Sequence, residues 1–281
     1  MTPLLRALRL AASASAGEVS DHLGLQLYSL RVLAKQSGWA ATLDKAKDLG
    51  FTYIEGGFVP KTLTTDQYLA ELSKRGLSMP SMGFAYEGLE KDPAAAVAKA
   101  KALGVKYVMV AWIPHKDDEG FRMDQASKAA ADFNAWGNAF HDAGITFTYH
   151  AHGYEFRPLP DGSNLFDFIV GNTDPRYVSF EMDVFWITHG GQDPAKLLAK
   201  YPDRWCLMHV KDIRKGAPTG IFTGHAPSTD DVAVGTGQVD WPGVFKEAKA
   251  VGIKYYFIED EGDTPDVSIP ASIAYVKSLG L

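Results

Sequence analysis

Lys101-Ala102-Leu103-Gly104-Val105-Lys106-Tyr107-Val108-Met109-Val110-Ala111-Trp112 holds the repeating unit of this chain. A helix ends at Leu-Gly and runs directly into a strand. Glycine suits the position just past a helix because it takes a left-handed backbone without steric cost. The run that follows is β-branched and aromatic, the composition of a buried strand. The same cadence recurs at Leu49-Gly50, Ala143-Gly144 and Val251-Gly252. Working outward, strands are predicted over 23–27, 51–55, 77–84, 105–112, 145–150, 177–182, 205–210 and 255–259. Helices are predicted over 39–49, 65–75, 93–103, 124–143, 164–170, 194–200, 241–251 and 268–279. Strict alternation implies parallel strands joined by crossover helices. Eight such units predict an α/β protein, a single-domain (β/α)₈ TIM barrel over 21–281. The alternative, a doubly wound open sheet, expects a glycine-rich phosphate loop after its first strand. The chain has Leu27-Tyr28-Ser29-Leu30-Arg31 there, and no G-x-G-x-x-G occurs anywhere.

Composition narrows the function. The chain has 281 residues, 46% hydrophobic and 22% charged, with a formal net charge of -6. It is not disordered, collagen-like or a disulfide scaffold. The acidic balance argues against a nucleic-acid partner, and no apolar run is long enough for a membrane span. Cys206 is alone, so it has no internal partner; it is expected to be an inert core thiol. Residues 1–20 are set apart as a tail. Met1–Gly17 faintly resembles a vestigial export signal, but Arg6 and Arg9 interrupt its apolar run. A cytoplasmic protein is expected, or a periplasmic one if that segment works as a signal.

In a barrel, the C-terminal strand ends converge on one mouth. Four consecutive strands each bring a metal-capable residue there: Glu155, Asp183, His209 and Glu259. Three carboxylates and one imidazole form a mostly oxygen site. One divalent ion is expected, Mn²⁺ first, with Mg²⁺, Co²⁺ and Zn²⁺ also compatible. His150, His152, Lys211, Glu55, Trp112 and Trp186 are candidate substrate contacts, with Tyr28 and Phe84 as further apolar wall. Of His150 and His152, one is expected to point into the mouth and one away. Lys211 either meets substrate or pairs with Asp212. The long segment 212–238 is expected to form a lid hinged at Gly235 and Gly237.

The motifs Leu25-Gln-Leu-Tyr-Ser-Leu-Arg31, His150-x-His-x-x-Glu-Phe156, Asp183-Val-Phe-Trp186, His209-Val-Lys-Asp212 and Gly235-x-Gly-x-x-Asp-Trp241 occur in order. With them the chain resembles the xylose isomerase-like TIM barrel superfamily, the sugar phosphate isomerase/epimerase group. The resemblance implies a single divalent metal on Glu155, Asp183, His209 and Glu259, with Glu155 and Glu259 as the acid/base pair. It implies a carbohydrate or keto-sugar substrate, isomerised or epimerised by proton transfer next to a carbonyl. The alternative is a keto-sugar or inosose lyase using the same site, because His-x-His-x-x-Glu-Phe and His-x-Lys-Asp resemble inosose-dehydratase-like members. Trp186 stands where ketose epimerases have a histidine. An endonuclease or a non-catalytic sugar-binding barrel of the same fold ranks below these. Whether the chain forms a homo-oligomer stays open at this point.

Overall fold

The structure, a computed structural model, describes residues 19–57, 59–116 and 119–281. The segment Met1–Gly17 lies outside the described residues. Among the described residues ten strands follow in chain order: β1 (Leu23–Gln26), β2 (Tyr53–Gly56), β3 (Ser78–Gly83), β4 (Tyr107–Val110), β5 (Thr146–His150), β6 (Val178–Asp183), β7 (Trp205–Val210), β8 (Asp212–Ile213), β9 (Asp231–Val232) and β10 (Tyr255–Ile258). Eight of them close a parallel barrel in the order β1-β10-β7-β6-β5-β4-β3-β2. The predicted TIM barrel is therefore the fold. β8 and β9 pair antiparallel as a small hairpin inside the long segment after β7. Among the described residues, no helix is long and apolar enough to cross a membrane.

Local chemistry sets the helix ends. Asp92 accepts the backbone N–H of Ala95 at 2.9 Å ahead of Pro93, and Gly104 closes that helix with φ 66°. The helix predicted from Trp39 is longer, Arg31–Asp48, but bent at Gly38, whose φ is 82°. The predicted part is its second half, beyond the kink. Two short helices were not anticipated, Tyr86–Lys91 and Val184–His189; each has 6 residues, too few for a clear helical period.

Strand register aligns the mouth. His150 is paired with Glu181, Asp183 with His209, Gln26 with Glu55, and Glu55 with Ser81. Alternate residues share a strand face, so the inward positions at the upper ends of six strands crowd polar groups into a space with almost no solvent.

Candidate metal centre and active site

Two groups of metal-capable side chains occur among the described residues: His150, Glu181 and His209; and Asp183, His209 and Glu259. All are buried. His209 joins the two groups, and their geometry supports one centre. Each imidazole has one nitrogen committed to a carboxylate. His150 Nδ1 lies 3.1 Å from Glu181 Oε2, and His209 Nε2 lies 2.6 Å from Glu55 Oε2. The two remaining nitrogens turn to the same oxygen. His150 Nε2 is 3.7 Å and His209 Nδ1 3.6 Å from Asp183 Oδ2. That oxygen is buried with no hydrogen-bond partner. Glu259 Oε2 completes the set at 3.2 Å from His209 Nδ1. A tetrahedral ion with bonds near 2.1 Å would separate its ligand atoms by about 3.4 Å. Imidazoles whose far nitrogens are bound to carboxylates are the usual support of a metal site.

The charges agree. Burial alone would lower the His209 pKa, yet the carboxylates of Glu181, Glu259 and Glu55 hold it well above its ordinary value. Burial would raise Glu259, but the Lys211 ammonium and His209 hold it well below the carboxylate range. Burial, then Glu55, pushes Glu181 up. Such a crowd of carboxylates calls for positive charge at its centre, which a dication provides.

Asp183, His209 and Glu259 thus come together as the sequence suggested. Glu155 belongs to neither metal-capable group. Its carboxylate is taken up by the Tyr149 hydroxyl and the backbone N–H of His152. The cause is local: β5 stops at His150, and Gly153, with φ 94°, turns the chain into the 3₁₀ turn Tyr154–Phe156 that carries Glu155. A Cβ at Gly153 would meet the Trp186 carbonyl at 2.9 Å, so only glycine fits there. His150 stands at the strand tip instead. Glu181 went unnoticed; its signal was its position two residues before Asp183, on the same strand face.

The expectation that His150 and His152 diverge is overturned. Both border the mouth cavity of about 390 Å³, with ring centroids 5.6 Å apart. They are separated by one residue, and i and i+2 share a strand face. His152 stacks on Trp186 at 4.2 Å, and Trp112 meets it edge-on at 5.4 Å. Burial, with His150 and Lys211, keeps His152 well below its ordinary pKa. Glu55 is withdrawn behind His209, accepting from Gln26 Nε2 at 2.7 Å and from the Ser81 hydroxyl. Tyr28 borders the mouth, whereas Phe84 packs against Phe140 in the core. Cys206 has its thiol pushed well up by burial, as an inert thiol should.

Lys211 does not pair with Asp212. It is buried against Glu261, Glu259 (3.3 Å) and Asp231 (3.9 Å), with its Nζ over the Trp186 ring at 5.2 Å. It borders a second cavity of about 240 Å³ that shares Tyr28 and Glu261 with the mouth. Asp212 instead accepts the N–H groups of Gly235 (2.9 Å), Gly237 (3.1 Å) and Val239 (3.3 Å), and the Trp241 indole N–H (2.9 Å). The glycines expected as a hinge are fastening points. A Cβ on Gly237 would sit 2.2 Å from Asp212 Oδ1.

The sequence profile of the xylose isomerase-like TIM barrel family matches residues 43–279. The chain belongs to that family. An inosose dehydratase of Lacticaseibacillus casei is 23% identical over 200 residues, 62% of this chain and 63% of that protein. The chain therefore spans less than two thirds of that relative's length. A solved sugar phosphate isomerase/epimerase of Parabacteroides distasonis superposes with a TM-score of 0.73 at 27% identity, covering 96% of this chain and 97% of its own. The zinc-bound IOLI protein superposes with a TM-score of 0.67 at 15% identity, covering 92% and 96%, and so shares the fold. The inosose dehydratase and the sugar phosphate isomerase/epimerase are by name enzymes of sugar chemistry, and this family member's buried His, Asp and Glu groups could hold a metal ion.

Proposed function

We propose that the chain is a divalent-metal-dependent lyase that dehydrates keto-sugars or inososes next to a carbonyl. One observation carries this reading. His152 at the mouth and Lys211 at the adjoining cavity present an imidazole and an ammonium, groups of different kinds. An epimerase removes and returns a proton on one carbon, a task for interchangeable groups. An elimination needs a base at one carbon and an acid at the next.

His150 Nε2, Asp183 Oδ2, His209 Nδ1 and Glu259 Oε2 would hold the ion. Two imidazoles and two carboxylates suit Mn²⁺, Co²⁺ or Zn²⁺ better than Mg²⁺. Bound there, a divalent ion supplies Lewis-acid polarisation of a carbonyl or hydroxyl. His152 Nδ1 lies 3.1 Å from the Gly224 carbonyl, which only accepts, so Nδ1 carries the hydrogen and Nε2 keeps a lone pair. That nitrogen takes the proton from the carbon beside the carbonyl. Lys211 donates a proton to the hydroxyl leaving the next carbon. One C–H and one C–O bond break, a C=C bond forms, and one water departs with no change of oxidation state. Glu155, by accepting the His152 backbone N–H, fixes the turn that carries the base. Trp186, stacked on His152, keeps water from that face.

The test is incubation of metal-loaded protein with inososes and keto-sugars in deuterated water, followed by mass spectrometry. A product lighter by one water is expected. His152→Gln should lower its rate about 10²–10⁴-fold, the scale of a positioned base, with metal content unchanged. A product of unchanged formula carrying deuterium would defeat the elimination and favour the isomerase or epimerase reading, which the name of the Parabacteroides neighbour supports. No reaction and no deuterium uptake would defeat both.

A further inference from the structure

A third cavity adjoins the mouth, between the bent helix Arg31–Asp48 and the chain following β2. Its volume is about 290 Å³. Trp39, Leu43, Pro60 and Tyr68 form its walls, and Gln26 and Tyr28 border both it and the mouth. Close-packed interiors leave few voids larger than a water. An apolar cavity of about 150 Å³ already takes up benzene, so this one has room for a substituted ring. Its edge is held in place: Arg31 donates to the carbonyls of Asp260 (3.3 Å) and Glu261 (2.7 Å) and lies over the Tyr28 ring at 5.0 Å. Those bonds hold the one basic residue of the lining against neutral carbonyls.

The wall has an unused polar atom. Tyr68 is only 2% exposed, and its hydroxyl makes no hydrogen bond among the described residues. Thr42, another hydroxyl of the lining, is already bonded to the Gly38 carbonyl at 3.1 Å.

We infer that this cavity seats an aromatic substituent of the substrate, so that the sugar dehydrated at the mouth is an aryl-bearing derivative. The inference rests on the keto-sugar reading of the mouth. The aromatic ring lies among Tyr28, Trp39 and Tyr68, the sugar passes Gln26 towards the metal centre, and an oxygen on the ring meets the Tyr68 hydroxyl.

The experiment uses two kinds of probe on the full chain. Phenol binding is followed by ligand-observed NMR for the wild type, Ala34→Trp and Tyr68→Phe. Ala34 borders the cavity outside the catalytic machinery, and its replacement fills the space. Tyr68→Phe removes only a hydroxyl with no described partner, so its fold should survive if the bulkier variant fails. Phenol should bind the wild type, about tenfold more weakly in Ala34→Trp, the scale of burying a ring's apolar surface, and measurably more weakly in Tyr68→Phe. In parallel, phenyl β-D-glucopyranoside should bind the wild type about tenfold more tightly than the methyl glucoside, and Ala34→Trp should lose that preference. Phenol bound equally by all three proteins, alongside working keto-sugar dehydration, would overturn the aromatic site and leave the mouth reading standing. Phenol bound as expected, with neither glucoside binding, would overturn the sugar reading and leave the aromatic site standing.

Discussion

The two ends of the barrel are built from opposite materials on the same strands. β2 carries Tyr53 low and Glu55 high. β10 presents Tyr255 and Phe257, then meets Glu259. β7 passes from Leu207 to His209, with Lys211 just beyond its end. At the lower end, Tyr53, Tyr107 and His22 surround Tyr255 at centroid distances of 5.1, 6.0 and 5.6 Å. At the upper end, Glu55, Glu181, Asp183 and Glu259 surround two imidazoles and an ammonium. One inward stripe thus changes from an apolar plug to a charged cluster within a few residues. The plug can contribute stability by area alone, because hydrophobic burial has no direction. The cluster is worthwhile only if each charge has its partner, because unpaired buried charge is costly. The lower end should tolerate repacking, and the upper end should respond to single atoms.

The largest expected effect sharpens that contrast at the metal. His150→Ala should strip metal more severely than the about 10–100-fold loss typical of removing an outer partner, which is the effect expected of Glu181→Gln. Glu155→Gln should keep its metal. Metal content of purified variants decides, and a metal-free Glu155→Gln beside a loaded His150→Ala would restore the ligand set first expected from the sequence.

Next comes the plug. Phe257→Ala should cost about 3–5 kcal/mol of stability, as large-to-small core changes do, while leaving metal affinity of the folded protein intact. Denaturant unfolding with metal titration measures both, and a loss of metal at full stability would break the division between the ends.

A smaller effect concerns the fastening of the long segment. Asp212→Asn leaves some of its buried donors without a good acceptor, at about 1–3 kcal/mol. Hydrogen exchange at the amides of Gly235, Gly237 and Val239 should quicken while the barrel strands stay protected. Exchange already fast in the wild type would return the segment to a hinged lid.

The smallest effect lies on the surface. Hydrogen bonds from Arg176 lower the Asp174 pKa to about 2. A depressed acid contributes stability that is present above its unfolded pKa, near 4, and is lost as pH falls towards 2. Solvent screens this pair, so the unfolding midpoint of Asp174→Asn should match the wild type at neutral pH, in contrast to any substitution at the mouth.

Much of this was legible beforehand. Strand positions followed from β-rich runs between Leu-Gly helix ends, and Asp183, His209 and Glu259 stood at strand tips. Less legible was where β5 stops. His150, His152 and Glu155 are all polar and lie within one short motif, and only the turn at Gly153 assigns one to the metal-capable cluster and another to the support of a backbone N–H. The first half of the helix Arg31–Asp48 was hidden for a related reason, because the glycine at its kink resembles a boundary.

The sequence by itself determined a parallel eight-stranded barrel with a polar mouth, because hydrophobic period and chain connectivity are local and a barrel is how such units bury their strands. The tertiary structure alone decided which carboxylate each imidazole nitrogen meets, which carboxylates gather in the metal-capable groups, and which partner Lys211 takes. His209 finds Glu55 at a separation of 154 residues. Side-chain direction at such a contact is set by strand register and by the turn that ends each strand, and neither is written at the position of the residue itself.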